Sequence, residues 1–161
     1  MSGETYLLTA ETIAALAPEM RSHFLNNNAR RTQKSLARST GLNEIDFAII
    51  EVAPGDESTE HHKHHHEEEC LYVLEGEGVA RIGAASHAVK SGDFIGYPAG
   101  GLAHSLHNTG STPLRCISVS QRKAHDVSDY PRKGKRLFRN KDLTWNMVDL
   151  SVIDRPFGSK T

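Results

Sequence analysis

Between residues 45 and 121 the chain repeats one pattern: a short run of β-branched, aromatic or apolar residues, then glycine, proline or asparagine. IDFAIIEVA (45–53) runs into Pro54-Gly55, and CLYVL is followed by Gly76 and Gly78 around a tight turn. VARI ends at Gly83, HAVK at Ser91-Gly92-Asp93, FIGY at Pro98-Ala99-Gly100-Gly101, and HSLH at Asn108-Thr109-Gly110; PLRCISVS is a further run. Short strands at such close spacing predict a β-sandwich or barrel. Thr9 reads as the N-cap of a short helix, TAETIAALA, stopped by Pro18. HFLNNNARRTQKSLARSTGL (23–42) is polar and irregular, which predicts an arm or edge strand with turns. After Gln121 the pattern dissolves into RKAHDVSDYPRKGKRLFRNKDLTW, expected to be a solvated basic arm stapled by a few aromatics. The expected organisation is a single domain, with a helix and arm over 1–44, a core over 45–121 and a basic arm over 122–161.

Composition narrows this picture without redirecting it. A chain of 161 residues fills one core and is short for two. With 24% charged residues, 37% hydrophobic residues and a net charge of -1, it is neither disordered nor polybasic. Nothing in this balance asks for nucleic acid or a membrane surface. The basic stretch Arg132 to Lys141 lacks the interleaved aromatics of a stacking platform. LARSTGL resembles the opening of a helix-turn-helix, but a strand follows at once and leaves no room for a recognition helix. The N-terminal residues show no signal-peptide pattern, and no apolar run approaches the ~18–20 residues needed to span a bilayer. Cys70 and Cys116 have neither CxxC spacing nor a disulfide framework, so a reduced cytoplasmic protein is expected.

The chemistry concentrates in EHHKHHHEEEC, residues 60–70, where histidine takes five of the six positions from 61 to 66. A purification tag would be terminal and unbroken; this run is internal and interrupted by Lys63. A solvated charged loop suits the glutamates better than the histidines. On an extended strand alternate side chains share a face, so His62, His64 and His66 point one way while His61, Lys63 and His65 point the other, towards the surface. Two imidazoles two residues apart can converge on one metal ion. Glu69, opening the next strand, is the natural third ligand, with Glu67 and Glu68 as competitors. His104, just after the PAGG turn, is the natural fourth, with His107 on the opposite parity. Imidazole nitrogens and a carboxylate suit a divalent first-row metal. Cys70 and Cys116 read as packed thiols, and Arg81 as an exposed arginine or a contact at the pocket mouth.

The same residues resemble the two motifs of the cupin family. The first runs Gly55, His62, Lys63, His64, Glu69, Gly76, with one residue more than usual between Gly55 and His62. The second runs Gly92, Pro98, Ala99, Gly100, His104, Asn108, with Gly101 as one extra residue. The resemblance covers residues 45–121, and the flanks also resemble those of uncharacterised single-domain bacterial cupins. It implies an all-β fold, a double-stranded β-helix jelly roll with a short N-terminal helix and N- and C-terminal arms. It also implies one divalent transition metal (Zn, Mn, Fe or Ni) held by His62, His64, Glu69 and His104.

A metal with open positions activates a carbonyl or a bound water. The leading expectation is therefore a sugar or sugar-phosphate isomerase acting on a small polar molecule, with His66 as the catalytic residue that moves the proton. The alternatives are an Fe-dependent dioxygenase and a non-catalytic small-ligand or metal-binding module. By analogy with other small cupins a homodimer is expected, with the N-terminal arm available to pair edge strands.

Overall fold

The computed structural model describes residues 5–154. The outermost parts of the predicted flanking segments, residues 1–4 and 155–161, lie outside the described residues.

Helix α1 (Ala10–Ala15) starts at Thr9, whose hydroxyl accepts from the Thr12 N–H at 3.2 Å and so supplies a partner for a first-turn donor. Strands β1 (Glu19–His23) and β2 (Asn26–Ser35) form a hairpin laid against β3 (Ile45–Val52). A short helix α2 (Leu36–Thr40) separates β2 from β3 and is ended by Gly41 at a φ of 79°. Then follow β4 (Lys63–His64), β5 (Glu69–Glu75), β6 (Glu77–Ile82), β7 (Ala85–Lys90), β8 (Phe94–Tyr97), β9 (His104–His107) and β10 (Leu114–Gln121). The chain continues through β11 (His125–Tyr130), β12 (Lys135–Asn140) and β13 (Asn146–Asp149).

The six-stranded sheet has the order β1-β2-β3-β10-β5-β8. Opposite it stand a three-stranded sheet, β7-β6-β9, and a four-stranded sheet, β13-β12-β11-β4. An antiparallel bridge between His62 and His104 ties these last two together. The result is a jelly roll. Its core draws alternate residues from facing strands: Ile50 and Val52, Leu71 and Val73, Leu114 and Cys116 on one side, Ala80, Val89 and Leu106 on the other. Each fully buried aliphatic of this set contributes roughly 1.5–3 kcal/mol.

Two glycines fix close approaches that a side chain would block. Gly76 sits at φ 83°, where an added Cβ would lie 2.7 Å from the Pro113 carbonyl oxygen. Gly78 is not a turn residue as expected but part of β6, where a Cβ would meet the His107 carbonyl oxygen at 2.5 Å.

The flanks depart most from expectation. The polar segment 26–35 is a ten-residue strand held by backbone pairing to both β1 and β3, not by an apolar face of its own. The arm is therefore paired within its own chain. Residues 125–149 are not a solvated arm: three strands pair antiparallel and join β4 through Ser128 opposite His64. Their basic residues find acids. Arg136 pairs with Asp129 at 2.6 Å, Lys135 with Asp149 at 2.6 Å, and Arg139 with the buried Glu67. Among the described residues no helix is long and apolar enough to cross a membrane.

Candidate metal centre

His62, His64, Glu69 and His104 come together between the two layers. The His62–His104 bridge places two imidazoles side by side, with ring centroids 4.8 Å apart. His64 follows two residues later, and its Nε2 lies 3.1 Å from that of His62. Glu69, at the start of β5, reaches across: one carboxylate oxygen is 3.2 Å from His104 Nε2 and 3.4 Å from His62 Nε2, the other 3.7 Å from His64 Nε2. Donors about 2.1 Å from one shared ion lie roughly 3.0–3.4 Å from each other.

The far side of each ring explains why the near side is free. His62 Nδ1 faces the Glu60 carbonyl oxygen at 2.8 Å and His104 Nδ1 faces that of Leu102 at 3.3 Å. His64 Nδ1 meets the Asp126 carboxylate at 2.5 Å and the Ser128 hydroxyl at 3.1 Å. This network assigns the proton to Nδ1 in all three and turns the Nε2 lone pairs inward. Two such lone pairs 3.1 Å apart repel unless a cation stands between them. The donor set therefore fits a divalent metal: three imidazoles and a carboxylate.

Electrostatics agree. Burial works against a charged Glu69, but the positive charge that His104 and His62 carry when protonated holds its carboxyl well below the ordinary value, the kind of charge a metal cation would supply there. Burial keeps His104 neutral by pushing it down. Burial also opposes a charged His64, but the hydrogen bond it donates to Asp126 raises it; Asp126 itself, for all its burial, is lowered to about 2 by His64. A carboxylate behind a ligating histidine fixes the ring and raises its basicity. His64, Glu67 and Asp126 also form an acidic cluster on that far side. Arg139 lies against both carboxylates, so this cluster reads as the support of His64.

A cavity of about 270 Å³ opens over the four side chains, lined also by His23, Arg31, Tyr97, Arg122, Tyr130 and Trp145. Tyr97 stacks on the His104 ring at 3.6 Å and 4°, and its buried hydroxyl has no hydrogen-bond partner among the described residues. A larger, mostly apolar groove of about 440 Å³ lies beside β8, lined by Ile45, Phe94, Pro98 and Val119; Glu69 and Tyr97 also border it, but none of the histidines does.

His66 does not join the group. The strand ends at His64, so alternation lapses, and His66 is exposed and absent from the cavity wall. His61, expected at the surface, is buried against the Ser105 hydroxyl at 3.3 Å, and His65 pairs with Asp129 at 2.9 Å. Glu67 is buried, taking the Lys123 N–H at 2.7 Å; Cys70 and Cys116 are free thiols. Arg81 lies 4.0 Å from Glu57 and outside the cavity wall. Sequence reasoning missed Asp126, Arg31, His23 and Tyr97. For Asp126 a signal existed: Asp126, Ser128 and Tyr130 alternate, and all three are buried.

Residues 48–120 match a family described as "Cupin domain". A solved structure of a proposed sugar phosphate isomerase from Acidithiobacillus ferrooxidans is 42% identical, covering 94% of this chain and 96% of that one, with a TM-score of 0.91. The chain is a cupin. The fold is shared as well with a cupin-superfamily sugar phosphate isomerase from Silicibacter pomeroyi, at 20% identity, TM-score 0.78, and coverage of 94% and 97%. An oxalate-binding protein from Thermotoga maritima is 38% identical over 73 residues, which is 45% of this cupin. This cupin spans 59% of the length of that curated relative, so their likeness concerns a part of each.

Proposed function

We propose that this cupin is a metal-dependent isomerase of a small sugar or sugar phosphate, with His62, His64, Glu69 and His104 holding one divalent transition metal. The observation that carries the reading is the grouping of His62, Glu69 and His104, with the Nε2 of His64 3.1 Å from that of His62 and 3.7 Å from the Glu69 carboxylate, in a polar cavity. The likeness over nearly the whole chain to a proposed sugar phosphate isomerase supports the choice of reaction. A divalent cation there supplies Lewis acidity towards a ligand carbonyl or hydroxyl. The cavity is slightly smaller than the ~300 Å³ at which sites for drug-sized ligands begin, which suits a small polar molecule.

Aldose–ketose exchange moves a proton between adjacent carbons and another between their oxygens. His23 is the cavity residue we assign to the oxygens. The Leu25 N–H donates to its Nδ1 at 3.2 Å, which leaves its own proton on Nε2. Burial, aided by the nearby His62 and Arg31, lowers its pKa to about 4, so the ring is neutral at pH 7.

The likeness to an oxalate-binding protein favours a second reading: the same four residues and cavity bind a small carboxylate without turnover. The deciding experiment is metal analysis of protein purified without nickel resin, followed by turnover assays on a panel of aldoses, ketoses and their phosphates. Interconversion of an aldose and a ketose supports the isomerase. Tight oxalate binding with no turnover across the panel replaces it with the binding module. A homodimer in the cytoplasm belongs to the same proposal; light scattering after size exclusion checks the dimer.

A further inference from the structure

Arg31 enters the cavity from β2, outside the 48–120 segment that matches the family. Its Nη1 donates to the Ser58 carbonyl oxygen at 2.8 Å, while its Nε is buried without a partner among the described residues. The acids nearest it in charge are engaged elsewhere: Asp46 with Arg122 at 2.5 Å, Glu69 with His104 and His62. Burial accordingly pushes the Arg31 guanidinium below its ordinary value, against the opposing charges of Glu69 and Asp46. A half-buried cation whose Nε is shut off from solvent and whose nearest acids are paired elsewhere is costly to leave without a counter-ion. Such a cost is offset when a ligand brings the missing charge.

We propose that Arg31 is the anion anchor of this cavity, taking a phosphoryl or carboxylate oxyanion of the ligand whose remaining atoms lie over His62, His64, Glu69 and His104. The proposal rests on the reading of this cavity as the ligand site. Three features of chemistry support it. The planar guanidinium offers parallel N–H groups that match an oxyanion's geometry. A divalent metal with Glu69 and Arg31 leaves the cavity net positive, which favours an anion over a neutral sugar. Arg122 is the other arginine in the wall, but its charge is answered by Asp46.

The test is calorimetric titration of metal-loaded protein with inorganic phosphate and, separately, with oxalate. It compares wild type with Arg31→Met and with Arg31→Gln, whose amide can keep the Ser58 contact if methionine does not fold. Thermal melts and metal content show that each variant is folded and loaded. The expected result is that one anion binds wild type and binds both folded variants about 10- to 100-fold more weakly, as for a lost charged hydrogen bond. Phosphate as the tighter arm points to a phosphoryl group, oxalate to a carboxylate. Equal affinity in wild type and variants, or no binding of either anion to wild type, overturns the anchor. Arg31-dependent binding of a sugar phosphate without turnover sinks the isomerase reading and leaves the anchor standing. Turnover untouched by either substitution does the reverse.

Discussion

His62 and His104 exchange both backbone hydrogen bonds: the His62 N–H donates to the His104 carbonyl at 3.0 Å, and the His104 N–H donates to the His62 carbonyl at 2.7 Å. This one antiparallel pair joins the three-stranded and four-stranded sheets and sends both imidazoles out of the same face. Structure and candidate chemistry are thus fixed by the same two residues, but by different atoms. The backbone closes the layer, and the side chains build the centre.

That separation makes the ligand assignment testable. The double substitution His62→Ala, His104→Ala keeps the backbone bridge and is expected to remove most of the metal while leaving the β-sheet signal intact. Elemental analysis and circular dichroism read the two effects independently. Full metal occupancy in the double variant would refute the assignment.

Asp126 is expected to act through His64. Asp126→Asn keeps the size of the side chain but weakens the hold on Nδ1, now 2.5 Å away. Metal affinity should fall about 10- to 100-fold. Competition with a chromophoric chelator measures it, and restoration by Asp126→Glu would argue for the carboxylate charge over packing.

Chelation gives a third check. A metal bound only by the folded chain stabilises it by mass action, about 2.7 kcal/mol at a hundredfold excess over Kd. Removing it with a chelator should lower Tm, and adding back one divalent metal should restore it. A Tm indifferent to both treatments would argue against a resident ion.

Tyr97 separates stability from ligand binding. Its hydroxyl is buried and unpartnered, whereas its ring lies flat on His104. Burial, with the charge of Glu69, pushes its pKa up, so it stays a neutral phenol. Tyr97→Phe keeps the stack and removes an orphaned group of the kind that costs ~1–3 kcal/mol. The ligand-free variant should melt at the same temperature or higher; a clear loss of stability would show that the hydroxyl has a protein partner.

The core should obey ordinary packing rules. Leu114 is wholly buried between β3 and β5, beside Gly78. Leu114→Ala should destabilise by about 2–5 kcal/mol in urea titration. Its metal stoichiometry should be unchanged wherever the variant is folded.

Much of this was legible in the chain. Strands from Ile45 to Gln121 are apolar runs between turn residues, a signal carried by each segment alone. Thr9 announces its helix because capping is local. The four converging residues follow from parity on a short strand and from the motif spacing around Gly55, Gly76, Gly92 and Asn108. Parity failed at His66, where the strand had already ended. It could not show that His61 is buried against Ser105, because that depends on what covers the strand's other face.

By itself, then, the sequence determined the run of short core strands, because hydrophobic period and turn chemistry act over a few residues; the jelly roll and the choice of donors among the clustered histidines and glutamates came from the motif resemblance. Tertiary structure alone decided the flanks and the cavity wall. Strand β2 and the sheet of β11, β12 and β13 are polar, and they exist through backbone pairing and ion pairs with partners far along the chain, Arg139 with Glu67 and His64 with Asp126 among them. Arg31 and His23 enter the cavity the same way. No local pattern marks a side chain whose role depends on which distant strand lies beside it.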